Sequence, residues 1–289
     1  MSSNINMNSK SIFSSKKTII LIVIAILLII YIYTVYQSYK SYRTSSPYLI
    51  QGTIEGTSPK TIEAYKIPQP TDGQYGQEFT YSCWLYIKDT NFINATETCN
   101  MDNGMGPLAK LIFNKGSKDL FKTQVNGQTV WHYPTLSSPG VYLYPNTNKL
   151  HIRFNTYDTN SPYKSADVGN IPLNKWFLLT IVLIGNSVDI YINNMLKKRE
   201  KMGVVKLNYG DVNINSFGGF NGYLSNLRYY NRAVEYWEID ETYQLGANMK
   251  QPVENIQQIA NLSPNYFFTT GYPNSNFGTS STTTTSTST

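Results

Sequence analysis

From Thr18 to Tyr39 the chain reads TIILIVIAILLIIYIYTVYQSY, with no charged side chain anywhere in the run. At 1.5 Å per residue this makes a helix of about 33 Å, enough to cross a hydrocarbon core of roughly 30 Å. A helix buried in a soluble core would carry a polar stripe. This one has none until its C-terminal end. A cleaved signal peptide would have a shorter apolar core, about 7–15 residues, and small residues at a cleavage site. Here Tyr-Gln-Ser-Tyr-Lys-Ser-Tyr-Arg follows instead. Residues 18–39 therefore read as an uncleaved transmembrane helix behind a short basic segment, 1–17. Tyr31, Tyr33, Tyr36, Tyr39 and Tyr42 gather at one end, as amphipathic rings do at the headgroups. Lys10, Lys16 and Lys17 precede the run, and Lys40 and Arg43 closely follow it. The positive-inside bias then predicts a cytosolic N-terminus with the remainder on the far side, by a margin of one charge. The sequons Asn94-Ala-Thr and Asn261-Leu-Ser would be open to glycosylation there, with Pro264 making the second a poorer acceptor.

The net charge of +6 invites a nucleic-acid reading, and its distribution removes it. Five of the 24 Lys and Arg precede residue 47, where no Asp or Glu occurs, leaving 19 cations against 18 anions in the rest. The basicity flanks the apolar run, the remainder is near neutral, and no nucleic-acid partner is expected. The two cysteines, Cys83 and Cys99, make no C-x-x-C metal pattern. Cys83 lies within the strand-like run FTYSCWLYI and reads as a buried thiol, with pairing to Cys99 left open.

Beyond the helix, 40–69 is rich in Pro, Gly, Thr and Ser and reads as a juxtamembrane stalk. Residues 247–289 form a C-terminal extension ending in SSTTTTSTST, which is too polar to bury a core. Between them, 70–246 reads as one all-β domain. Phe79, Tyr81, Cys83, Leu85 and Ile87 alternate along one strand, and Leu150, Ile152 and Phe154 alternate with His151, Arg153 and Asn155 along another. Trp176–Ile184 (WFLLTIVLI) is apolar on both faces, as in a strand covered on both sides. Gly185-Asn186 and Asn193-Asn194 supply turns around a returning strand marked by Val188, Ile190 and Ile192. Many short strands punctuated by turns predict a jelly-roll β-sandwich.

Three blocks, in order, carry a resemblance. EFTYSCWLYI, IPLNKWFLLTIVLIGNSVDIYINNMLKK and FNGYLSNLRYYNRAVEYWEI resemble the early strand, central hairpin and closing strand-plus-helix of laminin-G-like domains. These belong to the concanavalin A-like lectin/glucanase superfamily. The resemblance spans roughly 70–246 and implies a jelly-roll sandwich. Asn193-Asn194 stands where the family commonly has Asp-Gly.

That superfamily includes glycosidases, whose paired carboxylates sit about 5–5.5 Å apart in retaining enzymes. Its laminarinase-type members carry roughly E-I-D-x-x-E on one strand. Glu238-Ile239-Asp240 resembles the first half, but Glu241, Thr242 and Tyr243 follow, so the acid Glu is missing. The family pattern also starts a helix here, where residues i and i+2 diverge by about 200°. Solvated charges on a terminal helix are expected, and no catalytic residue. His132 and His151 lack partner spacing for zinc or a triad, and His151 is expected on an outer sheet face. Lys197–Lys201 reads as a solvated basic loop. Family members often bind calcium on the sandwich rim, for which Asp158 and Asp167 are the candidates. Aromatic residues in loop-like sequence, Trp131, Tyr133, Tyr157 and Tyr163 among them, are candidates for stacking on a sugar or anchoring a protein.

The expected function is thus a membrane-anchored, non-catalytic jelly-roll module for glycan or protein recognition, with the lipid bilayer as a partner through 18–39. The first alternative is a virion, envelope or minor capsid-type building block of a large DNA virus, tethering a protein layer to its membrane. The second is a glucanase-type glycoside hydrolase.

Overall fold

The computed structural model describes residues 6–74, 76–88, 98–101, 104–107, 110–118, 121–125, 127–144 and 147–247, with side chains described outside 6–16, 98–101, 104–107, 121–125 and 128–131. Asn94, Asn261, the extension beyond 247 and the side chains of Cys99 and Trp131 lie outside the described residues.

In chain order the elements are α1 (Asn6–Ser45), β1 (Thr53–Glu55), β2 (Lys60–Ile62), β3 (Thr71–Gly73), β4 (Gly76–Ile87), β5 (Thr98–Met101), β6 (Gly104–Pro107), β7 (Lys110–Gly116), β8 (Phe121–Val125), β9 (Gln128–His132), β10 (Ser137–Leu143), β11 (Leu150–Asn155), β12 (Tyr163–Val168), β13 (Trp176–Ile184), β14 (Ser187–Ile192), β15 (Met195–Lys201), β16 (Val212–Ile214), β17 (Gly222–Tyr230) and α2 (Tyr236–Leu245). One sheet runs β1-β17-β4-β13-β14-β15, with β3 appended to β4; the second runs β12-β11-β10-β7-β16-β2. Every pairing in both is antiparallel. A four-stranded satellite sheet, β6-β5-β9-β8, is inserted between β4 and β10.

The period-2 pattern places the core. From β4, Phe79, Tyr81, Cys83, Leu85 and Ile87 face Ile112, Val141, Ile152 and Phe154 of the second sheet in one continuous cluster. Cys83 is a free, buried thiol within it. The alternate residues of β4 and β13, Trp84, Tyr86, Trp176, Leu178 and Val182, form a second cluster on the outer face. Helix α2 covers that face with Ile239, and Tyr243 stacks on Trp84 at 6.0 Å between centroids. This double burial explains why WFLLTIVLI shows no polar alternation. Both expected turns are present: Gly185 and Asn193 take φ of 59° and 61°, conformations that Gly and Asn tolerate.

Two expectations need correction. The segment expected as a stalk, 40–69, is not one, since 40–45 continue α1 and the rest joins the sandwich. Leu49 and Ile50 lie in the core, β1 pairs with β17, and β2 pairs with β16. The chain thus joins both sheets directly after the helix. Lys197–Lys201 is not a loop but part of edge strand β15, where Arg199 forms an ion pair with Asp189. A charged edge suits a strand that must not recruit another.

Helix α1 carries a stretch, Lys17–Ser45, long and apolar enough to cross a membrane, with a mean hydropathy of 3.0 over its most apolar part and none of that part buried against the protein. Its last turn runs straight into the sandwich. Leu49 and Ile50 N–H groups both donate to the Leu227 carbonyl, and Asn231 N–H donates to the Ser45 carbonyl. A prediction separates this arrangement from a flexible stalk. In the full chain held in detergent, Ile50→Ala lowers unfolding stability by about 2–5 kcal/mol, as for other large-to-small core changes. Denaturant titration followed by tryptophan fluorescence reads it, and an unchanged midpoint would return the segment to a stalk.

Candidate functional site

Antiparallel register assembles the outer face of the second sheet. β11 pairs β12 with His151 opposite Asp167 and Asn155 opposite Tyr163, and pairs β10 with Tyr142 opposite His151. Because Leu150, Ile152 and Phe154 point into the core, His151, Arg153 and Asn155 must point outward. His151 is nonetheless fully buried. The ring of Tyr133 lies over it at 5.5 Å between centroids and 14° between planes, and Tyr142 and Tyr144 close its sides. The Arg153 guanidinium is held between two rings, 5.1 Å from Tyr133 and 4.1 Å from Tyr163. A cation desolvated between aromatic faces is stabilised by their quadrupoles. Asp167, His151, Tyr133, Arg153 and Tyr163 therefore form one chain of contacts across the sheet.

Three of the residues expected at a binding rim stand in that chain. Tyr133 is only 4% exposed, so it supports the layer and cannot itself stack on a ligand. Tyr163 is half-buried. Asp167 accepts from His151 Nδ1 at 2.7 Å, meets Lys149 Nζ at 2.7 Å, and accepts from the Tyr144 hydroxyl at 3.2 Å. Tyr157 and Asp158 sit apart, on the loop between β11 and β12. That loop is tightly braced. Thr156 N–H donates to the Pro162 carbonyl, the Thr156 hydroxyl to the Ser161 carbonyl, and Tyr157 N–H to the Val204 carbonyl. Tyr157 projects from it 60% exposed, beside the Lys206 ammonium at 5.7 Å. Sequence reasoning missed His151 and Arg153 as links. Their alternation with core residues was visible, but the rings that cover them come from distant segments.

The two aspartates do not fit calcium. A Ca²⁺ site needs six to eight oxygens, several of them carboxylate. Among the described residues no group of three metal-ligating side chains is assembled. Asp167 already serves His151 and Lys149, and Asp158 caps the Asn160 N–H with Lys164 Nζ 3.7 Å away. Each would have to exchange a cation partner for the metal.

Glu238 and Asp240 require a different correction, because neither is a free solvated charge. Glu238 is buried and takes a bidentate pair from Arg232, at 2.7 and 2.6 Å, plus the Glu235 N–H at 3.0 Å. It thereby caps the start of α2. Burial pushes its carboxyl up, but the Arg232 hydrogen bonds and the Glu235 amide more than offset that and hold it below the usual range. A glycosidase general acid needs the opposite shift. Asp240 accepts from Asn194 Nδ2 at 2.9 Å, tying α2 to the β14–β15 turn.

Asp167 generates a pH prediction. Burial raises its carboxyl, yet the hydrogen bonds from His151 and Lys149 prevail and lower it to about 2. An unfolded aspartate titrates near about 3.9. With the folded value below the unfolded one, the stabilisation is complete above about pH 4 and is lost as pH falls toward about 2. Asp167→Asn should flatten the acid limb of stability across that window, read from denaturant midpoints at successive pH values. A variant as acid-sensitive as the parent would contradict it.

Comparison with known proteins places this geometry. Residues 63–240 match the profile of the laminin G 3 family, described as the concanavalin A-like lectin/glucanases superfamily. A search of curated proteins finds no match. Among solved structures, the botulinum neurotoxin serotype G binding domain is 14% identical, with a TM-score of 0.40 over 67% of this chain and 46% of that one. The serotype D ligand binding domain in complex with N-acetylneuraminic acid is 14% identical, with a TM-score of 0.42 over 71% and 52%. The chain thus spans about half the length of these neighbours. With the family profile covering well over half of its residues and two antiparallel sheets packed as that fold requires, the chain belongs to the laminin G 3 family of the concanavalin A-like superfamily.

Proposed function

We propose that this protein is a single-pass membrane protein whose sandwich is a non-catalytic recognition module for a glycan or a protein surface. The observation that carries the reading is Tyr157, an exposed ring on a backbone-braced loop. A pre-ordered aromatic loses little entropy on binding, and such residues anchor sugar and protein ligands alike. Half-buried Tyr163 supplies a second ring at the end of the same loop, and Lys164 beside Asp158 and Lys206 beside Tyr157 supply polar groups. The superfamily's other activity, glucan hydrolysis, finds no support in Glu238 and Asp240, whose oxygens hold α2 in place. Anchoring is supported by the length and exposure of the apolar helix. The proposed orientation has the N-terminus cytosolic and the sandwich on the other side.

The test is a glycan-array screen of the full chain in nanodiscs, with and without calcium. Specific binding is expected, weakened about tenfold by Tyr157→Ala, the cost of losing one anchoring aromatic. Binding that ignores this substitution would move the site away from the loop. A folded protein that binds no glycan would favour a protein partner, including a layer built of its own copies.

A further inference from the structure

At the junction of α1 and the sandwich lies a cavity of about 440 Å³, bordered by Tyr39, Tyr42, Arg43, Tyr48, Gln51 and Arg228. Among the described residues no carboxylate lines it. The Arg228 guanidinium is fixed in its wall, donating from Nε to the Ser46 carbonyl at 3.0 Å and from Nη2 to the Ser46 hydroxyl at 3.2 Å. The rings of Tyr42, Tyr48 and Tyr230 surround it at 5.0, 4.7 and 4.7 Å. Arg43 stands opposite in the last turn of the helix, its guanidinium 5.8 Å from the Tyr39 ring, and no carboxylate among the described residues pairs with it. The larger neighbouring cavity, about 580 Å³, shares Tyr42, Tyr48 and Arg228 but is also lined by Glu238 and Glu241, which disfavour an anion.

The height of this cavity identifies its occupant. If 18–39 crosses the hydrocarbon core, Arg43 lies four residues beyond it, about 6 Å further along the axis. The headgroup layer on each side of a bilayer is about 5–8 Å deep. The cavity therefore opens at the level of the lipid phosphates, beside an apolar helix face available to acyl chains.

We infer that this cavity is a phospholipid site in which the headgroup phosphate is bound by Arg43 and the surrounding tyrosine hydroxyls, with Arg228 supplying fixed positive charge behind them. Arginine is suited to the task because its fork of donors matches phosphate oxygens. The site rests on reading 18–39 as a membrane span. It fixes the sandwich's tilt on the bilayer, since helix, lipid and sheet then share one contact.

The experiment is native mass spectrometry of the full chain in mild detergent, supplied in turn with phosphatidylglycerol, diacylglycerol of the same chains, and glycerol phosphate. Phosphatidylglycerol should be retained and the other two lost. Arg43→Gln should cut retention about tenfold, and Arg43→Lys should recover part of it, through charge without the fork. Equal retention of phosphatidylglycerol by Arg43→Gln, or of diacylglycerol by the parent, would overturn the site. Retention of glycerol phosphate as tight as that of the lipid would make it a soluble-phosphate site and overturn the lipid assignment. Alkaline extraction of membranes separates the two levels of failure. Release of the parent chain would remove the span and the site together, whereas resistance combined with an Arg43-independent lipid would remove the site alone.

Discussion

An irregularity in β17 determines how the two halves of this protein meet. Between Ser225 and Arg228 the pairing with β4 slips, and Asn226 takes a φ of 50°. Bulges interrupt a ladder and re-aim the side chains beside it. Here the interruption frees the Leu227 carbonyl to receive two N–H groups from Leu49 and Ile50, while Asn226 exchanges hydrogen bonds with Gly52. The chain leaving α1 therefore has a docking strip made of backbone, and Arg228 closes it from outside by gripping Ser46. A cation ringed by three tyrosines is held more firmly than an exposed ion pair would be, because desolvation strengthens the cation–π attraction. Removing the bulge would cost the junction its two Leu227 hydrogen bonds and leave those at Ser45 and Ser46 to hold it.

The same economy explains α2. The two central strands of the first sheet carry large side chains on both faces, and Trp84 and Trp176 would lie in water without a cover. A ten-residue helix is too short to be stable alone. It is held by its apolar face and by three polar ties: Glu238 to Arg232, the Glu235 amide to Glu238, and Asp240 to Asn194. Carboxylates that in another context would signal catalysis are here the fasteners of a lid on the outer core.

Much of this fold was legible because alternation is a local property. β4, β11 and the β13–β14 hairpin announce their faces within six to twelve residues, and the turns at Gly185 and Asn193 announce themselves by residue type. What escaped was everything that depends on a distant partner. Strands of three residues, such as β1 and β2, are too short to show a period, and their Pro, Gly and Ser neighbours imitate a linker. Glu238 has the composition of a surface residue, and only Arg232, brought near by the chain's turn after β17, makes its burial tolerable. The candidate site was partly legible for the same reason: Tyr157 and Asp158 are loop residues by sequence and by structure, but Tyr133 looked equally loop-like and is buried by its contact with His151.

These features divide the sandwich by task. The outer face of the first sheet is covered by α2, and the strip along β17 holds the segment that leaves α1. In the outer layer of the second sheet, Asp167, His151, Tyr133 and Arg153 satisfy one another in sequence. The β11–β12 loop is braced by hydrogen bonds from Thr156 and Tyr157 and holds the Tyr157 ring exposed. The buried polar groups of this scaffold are spent on rigidity, and the loop that carries Tyr157 is ordered by backbone bonds of its own. Glu238, the buried carboxylate of α2, is held in its ionised form by Arg232 rather than raised toward the range of a general acid.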